Sequence, residues 1–116
     1  MNACDLLIFT SMHEGSPNVI KEALACNLPI VSVDVGDVSR RLRGIEGCAI
    51  AADDRPGTLA RELTRVLKAK QAIDGRSALM DLDERTLTRK VIAVYQSVLP
   101  QTTTEAGPAL NTATRA

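Results

Sequence analysis

Two carboxylates, Glu14 and Glu22, stand with seven residues between them in the run Ser11-Met-His-Glu-Gly-Ser-Pro-Asn-Val-Ile-Lys-Glu22. Between them lie Gly15, Ser16 and Pro17, a set suited to a loop that turns into a helix. Ser16 is a good N-cap, because its hydroxyl can accept a free amide hydrogen of the first turn. Pro17 suits the first helical position, where no amide hydrogen is needed. A helix N-terminus carries unpaired amides and a partial positive charge, so it attracts phosphate. Gly15 lets a ligand approach the backbone closely. A carboxylate on either side can accept hydrogen bonds from hydroxyls. Phosphate in the middle with hydroxyls at both ends is the chemistry of a nucleoside diphosphate sugar.

Elements must hold those residues in place. Leu6-Leu-Ile-Phe9 is an apolar run without alternation, which predicts a parallel strand buried on both faces. Residues 10–16 are then the loop at its C-terminal end, the edge where open α/β sheets bind ligands. A helix follows over residues 17 to 25 or 26. Val19, Ile20, Ala23 and Leu24 form its buried face, and Glu22 lies on its polar side. Asn27 is the expected left-handed cap, and Pro29 stops the helix. Residues 30–33 form a second buried strand, and Asp34-Val-Gly-Asp37 is its loop on the same edge.

The stretch resembles the donor-binding signature of the GT-B-fold, retaining glycosyltransferases of family 4 (glycosyl transferases group 1). That signature is a pattern like S-x-x-E-G-x-P-x-x-x-x-E-A-x-A-x-x-x-P-V-V. Ser11, Glu14, Gly15, Pro17, Glu22, Ala23, Ala25, Pro29, Ile30 and Val31 occupy those places here. The likeness extends more weakly from Ala3 to Leu99. It implies that Glu14 is the catalytic-site carboxylate that accepts hydrogen bonds from the donor sugar. Gly15, Ser16 and Asn18 lie beside that sugar, and backbone amides near Asn18 and Val19 face the diphosphate. Glu22 takes the ribose hydroxyl pair. No metal or other cofactor is implied beyond the nucleoside diphosphate sugar, which is a substrate. The implied reaction transfers the sugar to an acceptor hydroxyl with retention. Where relatives place a glutamate after the Gly-containing loop, this chain has Ser39-Arg40-Arg41.

The resemblance also implies a two-domain enzyme, with the active site between two Rossmann-like halves. At 116 residues the chain has room for one small core. It is read here as the C-terminal part of such an enzyme, carrying half a donor site and inactive by itself. The N-terminal GT-B domain is the implied partner, along with an Arg/Lys pair upstream that steadies the leaving diphosphate. Two other readings stand beside it: a nucleotide-sugar-binding module that works with a partner, and a non-catalytic α/β interaction domain. The last leaves the Glu-Gly-Ser-Pro loop unexplained and lacks the acidic cluster of a response regulator.

The rest of the chain supports an α/β class. Residues 38–42 read as a short helix and 48–51 as a third strand. Asp53 and Asp54 are expected to cap a helix over 55–69, with Leu59, Leu63, Val66 and Leu67 inward. A helical segment falls near 77–81. A last helix over 84–99 lines up Leu87, Val91, Val94, Tyr95 and Val98 on one side, expected to be buried. The expected fold is a partial Rossmann-like domain over 1–99 with a small parallel sheet. Its open edge would need further strands to cover it. Residues 100–116, rich in Thr and Ala, are expected to be a disordered tail.

Lys and Arg number 14 and Asp and Glu 14, so no basic excess points to nucleic acid or an anionic membrane. No apolar run reaches spanning length and no signal-peptide pattern opens the chain. Any membrane contact would come through parts outside this chain, peripheral at the inner face. Three cysteines without a C-x-x-C pair fit a cytoplasmic protein, each as a small buried hydrophobe. His13 is read as an exposed neighbour of Glu14, Arg40, Arg41 and Arg43 as a solvated basic face, and Asp37 as either a turn residue or a brace for its loop.

Overall fold

A computed structural model describes residues 1–99. The expected tail, 100–116, lies outside the described residues. Three strands pair in parallel in the order β1 (Leu7–Phe9), β2 (Ile30–Val33), β3 (Ala49–Ala51). The register sets Leu7 against Ile30 and Val31 against Ala49. Helix α1 (Asn18–Ala25) joins β1 to β2, and the short α2 (Val38–Leu42) joins β2 to β3. Helix α3 (Pro56–Ala69) follows β3, then a 3-10 helix (Arg76–Leu82) and α4 (Glu84–Val98).

Alternation along β2 divides the core into two layers. Ile30 packs with Ile20, Ala23 and Leu24 of α1 and Val38 and Leu42 of α2. Val31 and Val33 point the other way, against Leu59 and Val66 of α3. Both layers are filled, so every residue of β2 is buried. The result is the expected α/β class with a small parallel sheet, a partial Rossmann-like architecture.

α1 ends as its sequence requires. Asn27 takes φ 52°, and its neighbour Leu28 donates its amide back to the Ala23 carbonyl at 2.9 Å. The Asn27 side chain then accepts the Gly75 amide at 3.0 Å, and Arg76 Nε reaches the Ala25 carbonyl at 2.7 Å. The 3-10 helix is thereby stapled to the end of α1. A Cβ at Gly75 would crowd the Leu24 carbonyl, so only glycine permits this approach.

Several expectations are corrected. β1 is not buried on both faces: Ile8 is 45% exposed, because α3 covers β2 and β3 and leaves the edge strand open. Asp53 and Asp54 do not cap α3: its N-cap is Arg55 with no side-chain cap bond, and Asp53 instead accepts from Arg55 Nε at 2.8 Å. Leu67 is exposed while Thr58 is buried, so the inward face of α3 is rotated toward Thr58, Leu59 and Val66. No residue of α4 is buried; its apolar stripe faces outward. Cys4 and Cys26 are exposed and only Cys48 is half-buried. All three are free thiols. A small apolar side chain fits either face of an element, so the residue type alone does not tell whether a cysteine is covered.

Candidate functional site

The C-terminal ends of the strands gather three loops at one edge: residues 10–17 after β1, 34–37 after β2 and 52–55 after β3. The first two are in direct contact. Gly36 adopts φ 58°, and a Cβ there would overlap the Gly15 carbonyl oxygen and lie 2.8 Å from that of Glu14. Glycine is required on both counts: a left-handed backbone and space for the neighbouring chain.

Glu14, Gly15, Ser16, Asn18 and Glu22 are exposed, and Val19 is half-buried. Glu14 is steadied by Ser11, whose Oγ donates to Oε1 at 2.9 Å. Glu22 stands in the second turn of α1 on its solvent side, while Ile20, Ala23 and Leu24 face the core. The two carboxylates therefore flank the start of α1, one in the loop and one on the helix. His13 is exposed, as expected.

The start of α1 differs from the expected cap. The N-cap is Pro17, extended at φ −66° and ψ 127°, and no side chain bonds to the first turn. Ser16 does not cap: its Oγ accepts no first-turn amide and is turned to Asp37, donating to Oδ2 at 2.8 Å. The amides of the first turn are thus left without a side-chain acceptor, and the first turn holds no acidic residue. Lys21 leans back over the same turn. Its Nζ donates to the Ser16 carbonyl at 3.1 Å and to Asn18 Oδ1 at 3.3 Å. A cation at the positive end of a helix is opposed by the helix dipole. Amides and ammonium together make this an anion-favouring corner.

Asp37 is the brace of the loop. Its Oδ2 accepts from Ser16, from Arg40 Nη2 at 3.1 Å and from Arg41 Nε at 3.1 Å. Burial acts to raise the Asp37 carboxyl, but these three hydrogen bonds outweigh it and hold it below the usual carboxylate range. Arg41 is not part of a solvated face. Its side chain is only 9% exposed and reaches Asp81 Oδ1 at 2.9 Å as well. Arg40 and Arg43 do face solvent. Desolvation acts to lower the Arg41 guanidinium, and its two carboxylate partners overcome that and raise it. The Asp37 and Arg41 spacing of four on a short helix was a legible sign of this pair; the contribution of Asp81, forty residues on, had no local signal.

A shallow cleft of about 250 Å³ opens beside this corner, with Ser11, Asp34, Val35, Ala52 and Asp53 among its walls. A larger hollow of about 470 Å³ lies against Pro29 and Lys70, at the opposite edge of the sheet. It touches none of the candidate residues. Topology favours the first place over the second, since ligands of open α/β sheets sit at the C-terminal strand ends. Among the described residues no group of His, Cys, Asp and Glu side chains could hold a metal ion. None of the described helices is long and apolar enough to cross a membrane.

An open parallel sheet with helices on both faces, and a loop cluster at the C-terminal strand ends, defines a Rossmann-like α/β domain. Residues 1–69, which contain all three strands and the whole loop cluster, match the family model described as Glycosyl transferases group 1. The chain belongs to that family. A 37-residue stretch is 49% identical to "Putative teichuronic acid biosynthesis glycosyltransferase TuaC" of Bacillus subtilis (strain 168), covering 32% of this chain and 10% of that protein. The chain thus matches a small share of the length of that relative. No solved structure gives a significant match.

Proposed function

We propose that the chain supplies the donor-binding part of a retaining, GT-B-fold glycosyltransferase of family 4. The observation that carries this reading is the side-chain-free N-terminus of α1, bracketed by Glu14 and Glu22, in a chain of the glycosyl transferases group 1 family. The diphosphate of a nucleotide sugar would lie over the first turn, near the amides of Asn18 and Val19, with the Lys21 ammonium alongside. Glu14 would accept hydrogen bonds from the sugar, with Gly15, Ser16 and Asn18 beside it. Glu22 would accept from the ribose hydroxyls. The recognition is anionic and hydroxyl chemistry that needs no bound metal.

The reaction moves the glycosyl group from the diphosphate oxygen to an acceptor oxygen, releasing nucleoside diphosphate and a proton. Stabilising the leaving diphosphate is the main electrostatic task. On this reading an N-terminal GT-B domain covers the donor from the other side and selects the acceptor. The exposure of Glu14, Ser16, Asn18 and Glu22 suits a half-site of that kind. The printed name of the Bacillus relative, a teichuronic acid biosynthesis glycosyltransferase, supports a setting in polysaccharide biosynthesis; on this reading the enzyme is cytoplasmic, peripheral to the membrane through its other parts.

The test is a calorimetric titration of the full 116-residue chain with uridine, guanosine and adenosine diphosphates. One of them should bind, and Glu22→Ala should weaken it roughly tenfold, the worth of one charged hydrogen bond. Equal affinity in the variant and the wild type would sink the donor-site reading. The chain by itself should transfer no sugar; turnover by the purified chain would refute the half-site description.

A further inference from the structure

We propose that Asp81, Arg41 and Asp37 form a relay through which the 3-10 helix positions the donor loop by way of the Ser16 hydroxyl. The inference rests on the donor-site reading for its functional consequence, but its geometry stands independently. Asp81 belongs to the 3-10 helix, and none of its described hydrogen bonds goes to residues 14–16. It takes both hydrogen bonds of Arg41 Nη1, at 2.9 Å and 3.2 Å. Arg41 Nε, on the other side of the same planar group, holds Asp37 Oδ2 at 3.1 Å. That oxygen holds Ser16 Oγ at 2.8 Å.

The chain of contacts is stiff for a physical reason. A guanidinium is planar and presents its donors in a fixed fork, so moving one carboxylate moves the other. Arg41 is buried, which confines it to one orientation. Its charge also has no other acidic partner among the described hydrogen bonds, so both carboxylates are needed to hold it in place. Where Asp37 sits then decides two things at the donor corner. It orients the Ser16 side chain toward loop 34–37, away from the first-turn amides, and it fixes that loop against Glu14 and Gly15 through Gly36. Lys90 of α4 donates to the Asp81 carbonyl at 3.4 Å, so the start of α4 is attached to the same relay. Asp37, Arg41 and Asp81 are positioning residues on this account; none needs to touch the donor.

The experiment uses the full chain labelled with nitrogen-15, with the amide resonances of Gly15 and Ser16 as the readout and the same three nucleoside diphosphates as probes. Asp81→Asn should shift both resonances and weaken binding roughly three- to tenfold. Asp81→Glu, which keeps the carboxylate, should restore both. Arg41→Lys, which keeps the charge and loses the fork, should behave like Asp81→Asn. Asp74→Asn is the control, since Asp74 bonds Ser77 within the same segment and not the relay; it should leave Gly15 and Ser16 unmoved. Unmoved Gly15 and Ser16 resonances in a folded Asp81→Asn chain would overturn the relay, as would equal shifts in the Asp74→Asn control. If the resonances respond as expected while no diphosphate binds the wild type, the relay stands and the donor-site reading falls.

Discussion

Ser16 Oγ stands 2.8 Å from Asp37 Oδ2, which joins the loops after the first two strands side chain to side chain. This contact replaces a helix cap, and its strength depends on the charge of Asp37. The folded Asp37 carboxyl lies below its usual range, near 3.9 for an unfolded aspartate. A depressed folded value means stability that is present above about pH 4 and is lost as pH falls through the folded value. Urea melts of the wild type and Asp37→Asn between pH 7 and pH 3 should show a gap that is constant near neutrality and narrows in acid. A gap independent of pH would show that Asp37 does not act through its charge.

Gly36→Ala should cost on the order of 2 kcal/mol, since left-handed backbone alone costs an alanine about 1–2 kcal/mol and the new methyl has no room. The added Cβ meets the carbonyls of Glu14 and Gly15, so the loop after β1 must move with it. A thermal melt reads the stability, and nucleotide affinity reads the loop. Gly44→Ala is the comparison: its φ of 76° brings the same backbone strain, yet nothing lies within 4 Å of its Cβ. A donor affinity equal in the two variants would contradict the close approach at Gly36.

The three thiols should react in two classes. Cys4 and Cys26 are exposed, while burial pushes the half-buried Cys48 thiol up, against the smaller effect of a backbone hydrogen bond at Ile30. A thiol that ionises less reacts more slowly. Titration with a disulfide reagent at pH 8 should give two fast groups and one slow one, and all three should become fast in urea. Three equal rates in the folded chain would place Cys48 at the surface.

Val91→Lys and Val94→Lys should change stability by no more than about 0.5 kcal/mol, the usual range for exposed positions. Val91 is 54% and Val94 63% exposed on α4. A loss of several kcal/mol in a denaturant melt of either variant would mean that the stripe is packed in solution.

Local patterning was a reliable guide wherever one element sets its own geometry. Asn27 and Pro29 marked the end of α1, and its left-handed residue is Asn27, at φ 52°. The apolar runs marked all three strands, and three- and four-residue spacing marked Ile20, Ala23 and Leu24 as core. The same spacing on α4 misled, because periodicity shows that a helix has an apolar side and not that anything covers it. The edge position of β1 misled likewise: a strand can be as apolar as its neighbours and still lack a second layer.

At the candidate site the division is sharper. The places of Glu14, Gly15 and Glu22, in the loop and on the solvent side of α1, were legible because helix-start signals are local; their roles toward a donor belong to the proposal. Ser16 was misassigned, since a serine before a proline-led helix satisfies every local rule for a cap. Its hydroxyl donates to a carboxylate twenty-one residues away, and that contact turns the side chain toward loop 34–37 and not over the first-turn amides. Arg41 looked like one of three surface arginines until Asp37 and Asp81 closed on it from two elements. The sequence by itself determined the parallel α/β class, the helix start between two glutamates and the side of the sheet they occupy, because those follow from contacts within a few residues. Only the tertiary structure decided where the Ser16 hydroxyl bonds, which arginine is buried and which faces stay open. Those outcomes are competitions between partners distant in the chain, and hydrogen-bond and ion-pair energies reward the nearest good partner in space.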